Sequence, residues 1–301
     1  MRSHNLLLLA IVSCAVFSSC AEKVDNSAAP KESANAFTME TIRYVPDTHD
    51  SAHEMDLYIP KNARKPMPVV LWIHGGAWQV GSKDDTPAPL LMDDGFAVAS
   101  INYRLSQQAT FPAQIFDTKA AVRFLRANAD KYGIDPKRVG VFGNSAGGHL
   151  AALLGTSNGV KGLEGKLGNL EQSSNVQAVV DWCGPTDFLT IGSQGGRYNQ
   201  MRLDDPEGPV SKLFGGMPAT KKQLAVSANP ITYIDEHDPP FLIMHGEKDT
   251  VVPIQQSKSF YKELNEHKVP ANFQVVKDSD HDIFTPSTLQ VAEDFLKKTL
   301  H

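Results

Sequence analysis

The chain has 301 residues, of which 41% are hydrophobic and 21% charged, and its formal net charge is −5. That length accommodates one large α/β domain or two small ones. The composition is that of an ordinary globular protein, and without a basic block nucleic acid is not an expected partner.

The N-terminal segment differs in character from the remainder of the chain. Arg2 and His4 precede an apolar run, residues 6–17, that is too short to span a bilayer comfortably. Phe17-Ser18-Ser19-Cys20 comes next, followed by polar sequence. Small residues ahead of a cysteine at the end of such a run resemble a bacterial lipoprotein processing site. On that resemblance residues 1–19 are a signal peptide and Cys20 is the lipidated first residue of the mature chain. Cys14 offers a competing site with a shorter apolar run, and an ordinary secretory signal cut nearby is the other reading. Each exports the protein, to the periplasm or the outer membrane, with the lipid anchor as its one membrane contact. Removing residues 1–19 removes one Arg and no acid, which takes the formal charge from −5 to −6. Residues 20–36 are rich in Ala, Ser, Asn, Lys and Glu and read as a flexible tether. Of the three cysteines only Cys183 falls beyond this region, so no intrachain disulfide can form in the folded part.

The folded domain is expected over 37–301. Residues 38–45 and 53–59 read as an antiparallel pair of strands. Residues 69–74 are a nearly continuous apolar run, the mark of a central strand covered on both faces. A short helix is expected within 84–94, a strand at 96–103, and a long helix at 111–132 with an apolar stripe and a stop at Gly133. A strand at 139–142 is followed directly by another helix. Further strands are expected at 176–182, 241–245 and 272–276, and helices at 254–267 and 287–300. The alternation predicts an α/β fold, a mostly parallel sheet of about eight strands with helices on both faces. Residues 186–233 break the alternation. They are rich in Gly and Pro, too long for a plain connection, and read as a lid-like insertion with one helix near 221–228.

Between the strand at 139–142 and its helix lies Gly143-Asn144-Ser145-Ala146-Gly147, a G-x-S-x-G pattern. A serine on a tight strand-to-helix turn presents its hydroxyl at the carboxyl edge of the sheet, above a helix N-terminus. To act as a nucleophile it needs a base, an acid that orients the base, and donors for an oxyanion. The donors are expected from the backbone N–H groups of Gly76 and Ala77, just after the most apolar strand, and of Ala146. His74 is read as a loop tie. The acid is expected to be Asp249, enclosed by Val251, Val252 and Pro253, with Glu247 as its nearest rival and helix capping as its bland reading. The base is expected to be His281, although both its sequence neighbours are acidic, because adjacent loop side chains diverge. His149, one turn beyond Ser145, is read as a packing residue. The order Ser145, Asp249, His281 is the one found in α/β-hydrolases.

With these residues in hand the chain resembles an α/β-hydrolase of the esterase/lipase group, with hormone-sensitive-lipase-like motifs, over about residues 37–300. It is most similar to bacterial carbohydrate esterases of the acetyl xylan and feruloyl esterase type. The likeness lies in Ile73-His74-Gly75-Gly76-Ala77-Trp78-Gln79-Val80-Gly81-Ser82-Lys83, in the Gly143-to-Ala151 elbow, in Gly184-Pro185-Thr186-Asp187 and in His245-Gly246-Glu247-Lys248-Asp249. Many relatives carry a third Gly where this chain has Ala77. Arg104, in another family motif, is expected to brace the fold through salt bridges. The resemblance implies a serine carboxylesterase that removes acetyl or feruloyl groups from plant polysaccharide such as xylan, with a small-molecule or oligosaccharide ester as substrate. Trp78 either packs under its loop or lines the acyl pocket; Trp182, Arg197 and Tyr198 are further candidates for substrate contact. No metal-ligand spacing stands in the sequence, so neither metal nor cofactor is expected. Other readings are an arylformamidase-like or general short-chain esterase, a prolyl-oligopeptidase-type peptidase, and a non-catalytic glycan-binding module on a hydrolase scaffold.

Overall fold

The computed structural model describes residues 37–46, 48–91, 95–194 and 201–301. The segments read as signal peptide and tether, with Cys20, and also Arg197 and Tyr198, lie outside the described residues. The apolar run at 69–74 becomes β3 (Met67–Ile73), every residue of which is buried. Its side chains alternate: Val69, Leu71 and Ile73 enter one core, Val70 and Trp72 the other. Cover on both faces is the reason the strand reads as continuously apolar.

Eight strands form the sheet. β1 (Phe37–Arg43) and β2 (Glu54–Pro60) pair antiparallel, with Phe37 opposite Pro60. β2 is also antiparallel to β4 (Ala97–Ile101). The remaining strands, β5 (Ile134–Asn144), β6 (Ala178–Trp182), β7 (Phe241–Gly246) and β8 (Ala271–Val276), run parallel to β3 and β4. The spatial order is β1-β2-β4-β3-β5-β6-β7-β8. The sheet is therefore the mostly parallel one expected. β5 starts earlier than its apolar residues suggest, because Met67 pairs with Ile134 and its N–H donates to the Gly133 carbonyl.

One face carries α1 (Ala88–Leu91) and α8 (Pro286–Leu300), whose Leu91, Leu289, Leu296 and Leu300 join Trp72, Phe142 and Trp182 in a core. The other carries α2 (Ala113–Ala127), α4 (Ala146–Thr156) and α7 (Gln255–Glu266). The long helix expected at 111–132 is two. At Asn128 the backbone leaves helical geometry (φ −111°, ψ 15°), its side-chain amide donates to the Phe124 carbonyl, and α3 (Ala129–Tyr132) follows before Gly133 stops it at φ 69°.

The insertion at 186–233 holds α5 (Pro209–Phe214) as well as the expected α6 (Lys222–Ser227). Its start and stop were written in the chain: Pro209 opens it, and Gly215 closes it at φ 64°. Val210, Leu213, Phe214, Ala225 and Ala228 lie in the same core as α2 and α4. The described part of the insertion is thus packed rather than a detached flap.

Arg104 braces the fold as expected. Its guanidinium meets the buried Asp117 carboxylate at 2.6 Å, and His53 holds the same oxygen at 3.2 Å. A second strut joins α2 to the segment after α4. Glu164 accepts from Lys119 at 2.6 Å and from Arg123 at 3.0 Å, both cations being buried.

Candidate active site

The Gly143-to-Gly147 turn connects β5 to α4 through a strained serine, φ 54° and ψ −120°. Its glycines are required by contact. A Cβ on Gly143 would lie 2.2 Å from the Gly147 carbonyl oxygen, and one on Gly147 would lie 2.0 Å from that of Ile73. Without side chains at these positions α4 can begin directly against the end of β3. The Ser145 N–H donates to the Trp182 carbonyl at 2.7 Å, which ties the turn to β6. Ser145 keeps 7% of its surface exposed.

The turn after β7 and the loop after β8 bring two further side chains to Ser145. The Ser145 hydroxyl donates to His281 Nε2 over 2.8 Å, and His281 Nδ1–H donates to Asp249 Oδ2 over 2.7 Å. The other carboxylate oxygen of Asp249 accepts from the Val251 and Val252 amides, each at 2.8 Å. Burial alone would push the Asp249 carboxyl up. Hydrogen bonds from His245 and His281, with their charge, outweigh it and hold the group well below the usual carboxylate range. The acids beside His281 are engaged elsewhere. Asp280 accepts from the Thr250 and His281 amides, and Asp282 from that of Phe284. Glu247 accepts from the Asp278 amide. The two loops meet closely, since a Cβ on Gly246 would sit 2.0 Å from the Asp280 carbonyl oxygen.

The loop after β3 has three consecutive residues with positive φ: Gly76 (99°), Ala77 (54°) and Trp78 (58°). The backbone N–H groups of Gly76, Ala77 and Ala146 have no acceptor among the described residues, which leaves them free as donors. His74 ties the loop, stacked on Tyr103 at 4.4 Å and donating to the Gly75 carbonyl at 2.7 Å. Burial lowers its pKa. His149 is a packing residue. Its Nε2–H donates to the Ala228 carbonyl at 2.8 Å, and its Nδ1 accepts from the Trp78 indole at 3.2 Å. Burial takes its pKa down to about 4, so the ring is neutral. It joins the loop, α4 and the insertion.

Beside these groups opens a cleft of about 580 Å³ walled by Trp72, Gly75, Gly76, Asn144 and Phe284. Trp78 and Trp182, expected at the substrate pocket, are both fully buried. Trp78 is roofed by Phe188 and His149, because the insertion packs down on it. Trp182 lies behind Phe284, ring centres 4.8 Å apart. Phe284 itself is 42% exposed and forms the outer wall. Its position three residues after His281 was the available signal. The single-strand reading of Trp72 as core hid its place at the cleft.

Sequence spacing suggested no metal ligands, yet the fold gathers Cys183, His245 and Asp249, with ligand atoms within 4.8 Å of one another. Their donor set does not suit a cation. His245 Nε2 faces two acceptors, the Val252 carbonyl at 2.9 Å and Asp249 Oδ2 at 3.1 Å, so it carries a proton rather than a lone pair. Burial and the adjacent Asp249 charge push the Cys183 thiol up, away from the thiolate a metal would take. A further acid, Asp181, is fully buried at the end of β6. Oδ1 accepts from the Gly184 amide at 2.9 Å, Oδ2 has no partner among the described residues, and burial raises the pKa to about 6.

Comparison with known proteins gives this arrangement a lineage. The BD-FAE family model matches residues 55–264. The chain belongs to the BD-FAE family of α/β-hydrolase esterases. It is similar to a truncated carbohydrate esterase from gut microbiota, 34% identical with a TM-score of 0.81, over 88% of this chain and 98% of that one. A bifunctional GH43-CE protein of Bacteroides eggerthii is 39% identical, also at 0.81, over 88% of this chain and 38% of the other. Among curated proteins, the probable carboxylic ester hydrolase LipM of Mycobacterium tuberculosis is 34% identical over 203 residues, 66% of this chain and 45% of LipM. The chain spans about half the length of the curated relatives it matches. The α/β-hydrolase fold expected from the sequence is therefore this chain's fold.

Proposed function

We propose that this protein is an exported serine carboxylesterase that removes acetyl or hydroxycinnamoyl groups from plant polysaccharide. The observation that carries the chemistry is the single imidazole of His281 set between Ser145 Oγ (2.8 Å) and Asp249 (2.7 Å). Asp249 holds the tautomer in which Nε2 is free to take the serine proton. Ser145 then attacks the ester carbonyl, and the N–H groups of Gly76, Ala77 and Ala146 receive the negative charge that develops on its oxygen. His281 returns the proton to the departing alcohol. A water activated by the same imidazole hydrolyses the acyl-enzyme.

The substrate class draws its support from names and shape. A carbohydrate esterase is among the most similar solved structures. The cleft volume, about 580 Å³, lies in the range of small-molecule sites and exceeds what an acetyl group needs. Trp72 and Phe284 offer an aromatic wall to a planar acyl group or a sugar face. Export, through a lipid on Cys20 or a cleaved signal, would place the enzyme where imported glycans arrive.

Ser145→Ala is expected to lower turnover of p-nitrophenyl acetate by on the order of 10³-fold or more. Near-normal turnover would overturn the assignment of the nucleophile. Acetylated and feruloylated oligosaccharides assayed side by side, with formylkynurenine as the arylformamidase control, decide the acyl group. Failure of a fluorophosphonate to label the wild-type protein would leave the glycan-binding reading.

A further inference from the structure

His245 lies at the end of β7, four residues before Asp249, and is fully buried. The two acceptors at its Nε2 require a proton there. Its other nitrogen, Nδ1, lies 2.7 Å from the hydroxyl of Ser257 on α7. In the neutral ring Nδ1 therefore accepts from Ser257. The Ser257 hydroxyl thus holds from behind the ring whose Nε2–H faces the acid of the proposed site. Asp249 Oδ2 accepts from two imidazoles, His245 and His281, while Oδ1 is spanned by two amides. Both carboxylate oxygens are thus held, in the orientation that aims Oδ2 at His281.

We infer that His245, with Ser257 behind it, is the positioning residue that locks the Asp249 carboxylate in register with His281. The inference rests on the assignment of Ser145, His281 and Asp249 as the reacting line. His245 touches neither the serine nor the cleft, and acts through the carboxylate alone. Its Nε2 proton also bridges to the Val252 carbonyl, so the same group fixes the turn that carries Asp249. Without that donor, the carboxylate is held by His281, the Cys183 thiol and the two amides on Oδ1, and its aim at His281 loosens about a χ2 bond that rotamer preference restrains only broadly.

Two substitutions separate donation from bulk. Gln places its side-chain amide nitrogen as far from Cβ as His places Nε2, and so restores the N–H. Leu fills the site without a donor. His245→Leu is expected to lower kcat for p-nitrophenyl acetate by on the order of 10- to 100-fold, the scale found when outer partners of functional histidines and carboxylates are removed. KM should change less than about 2-fold, because substrate contacts are untouched. His245→Gln should recover most of that loss. Ser257→Ala, which removes the hold on the far side of the ring, should fall between wild type and His245→Leu. Complete labelling by a fluorophosphonate reports folded protein in each case. Equal kcat in Leu and wild type, or recovery by Leu and not by Gln, overturns the inference and leaves His245 a packing residue. Should His245→Leu fail to fold, kcat equal to wild type in His245→Met, which also lacks an N–H, overturns it; so does equal kcat in Ser257→Ala and wild type. Absence of labelling in the wild type instead defeats the serine-esterase reading itself.

Discussion

His149 makes the stability of this protein depend on pH in a calculable way. The ring is fully buried beside Trp78 and Phe188, and burial brings its pKa from 6.5 to about 4. Above pH 6.5 the ring is neutral whether the chain is folded or unfolded, and it contributes nothing. Between about 6.5 and 4 the unfolded chain takes up a proton that the folded one refuses, so stability falls as pH falls. At 1.36 kcal/mol per unit, the full loss is about 3 kcal/mol, of which about 2.5 kcal/mol has appeared by about pH 4.5. Asp181 works in the opposite sense. Its carboxyl is raised by burial from 3.8 to about 6, so the folded state binds the extra proton and gains about 3 kcal/mol as pH falls through that window. Asp238, raised by burial to about 7, adds in the same direction. The wild-type curve mixes these with other groups, His74 with its burial-lowered pKa among them, and the His149 share is isolated by difference against His149→Gln. Glutamine does not titrate. It carries a pH-independent cost of about 1–3 kcal/mol for imperfect partners to Trp78 and Ala228. Urea unfolding followed by tryptophan fluorescence, from about pH 8 to about pH 4.5, gives both curves. The gap between wild type and variant should narrow by about 2.5 kcal/mol across that range. A gap constant to within about 0.5 kcal/mol would mean that His149 is not held neutral by burial, and would refute the reasoning.

Other outcomes rest on contacts already described. Gly147→Ala sets a methyl 2.0 Å from the Ile73 carbonyl oxygen, where backbone meets backbone. It is expected to abolish soluble active protein, whereas Gly162→Ala, with nothing within 4 Å, should shift the thermal midpoint by less than about 2 °C. Soluble, fully active Gly147→Ala would contradict the close approach of α4 to β3. Glu164→Gln strands the buried charges of Lys119 and Arg123 and should cost about 3–5 kcal/mol in urea unfolding. A change below about 1 kcal/mol would show that water or another acid already serves those cations.

Much of the proposed site was readable along the chain because each of its three side chains follows a strand, and strands announce themselves by buried apolar runs. Ser145, Asp249 and His281 sit in three such places, after β5, β7 and β8, and a parallel sheet puts all three at one edge. The rest depends on neighbours far apart in sequence. Trp78 read equally well as floor or wall, and only the descent of Phe188 and Ala228 onto it and His149 made it buried. α5 had its Pro and Gly punctuation but too few residues to carry a period. Cys183, His245 and Asp249 show no ligand spacing, yet β6 and β7 are adjacent and set them side by side.

The amino-acid sequence by itself therefore determined the fold class, the strands after which Ser145, Asp249 and His281 fall, and which hydroxyl, imidazole and carboxylate the fold brings into one line. Local rules suffice for these: apolar periodicity, glycines at turns that tolerate no Cβ, and the fixed direction of a parallel sheet. Tertiary structure alone decided which tryptophan borders the cleft, which rings hold their protons, and that Asp249 answers to two histidines rather than one. Those are matters of burial and of distances of about 3 Å between separate loops, and no pattern along one chain encodes them.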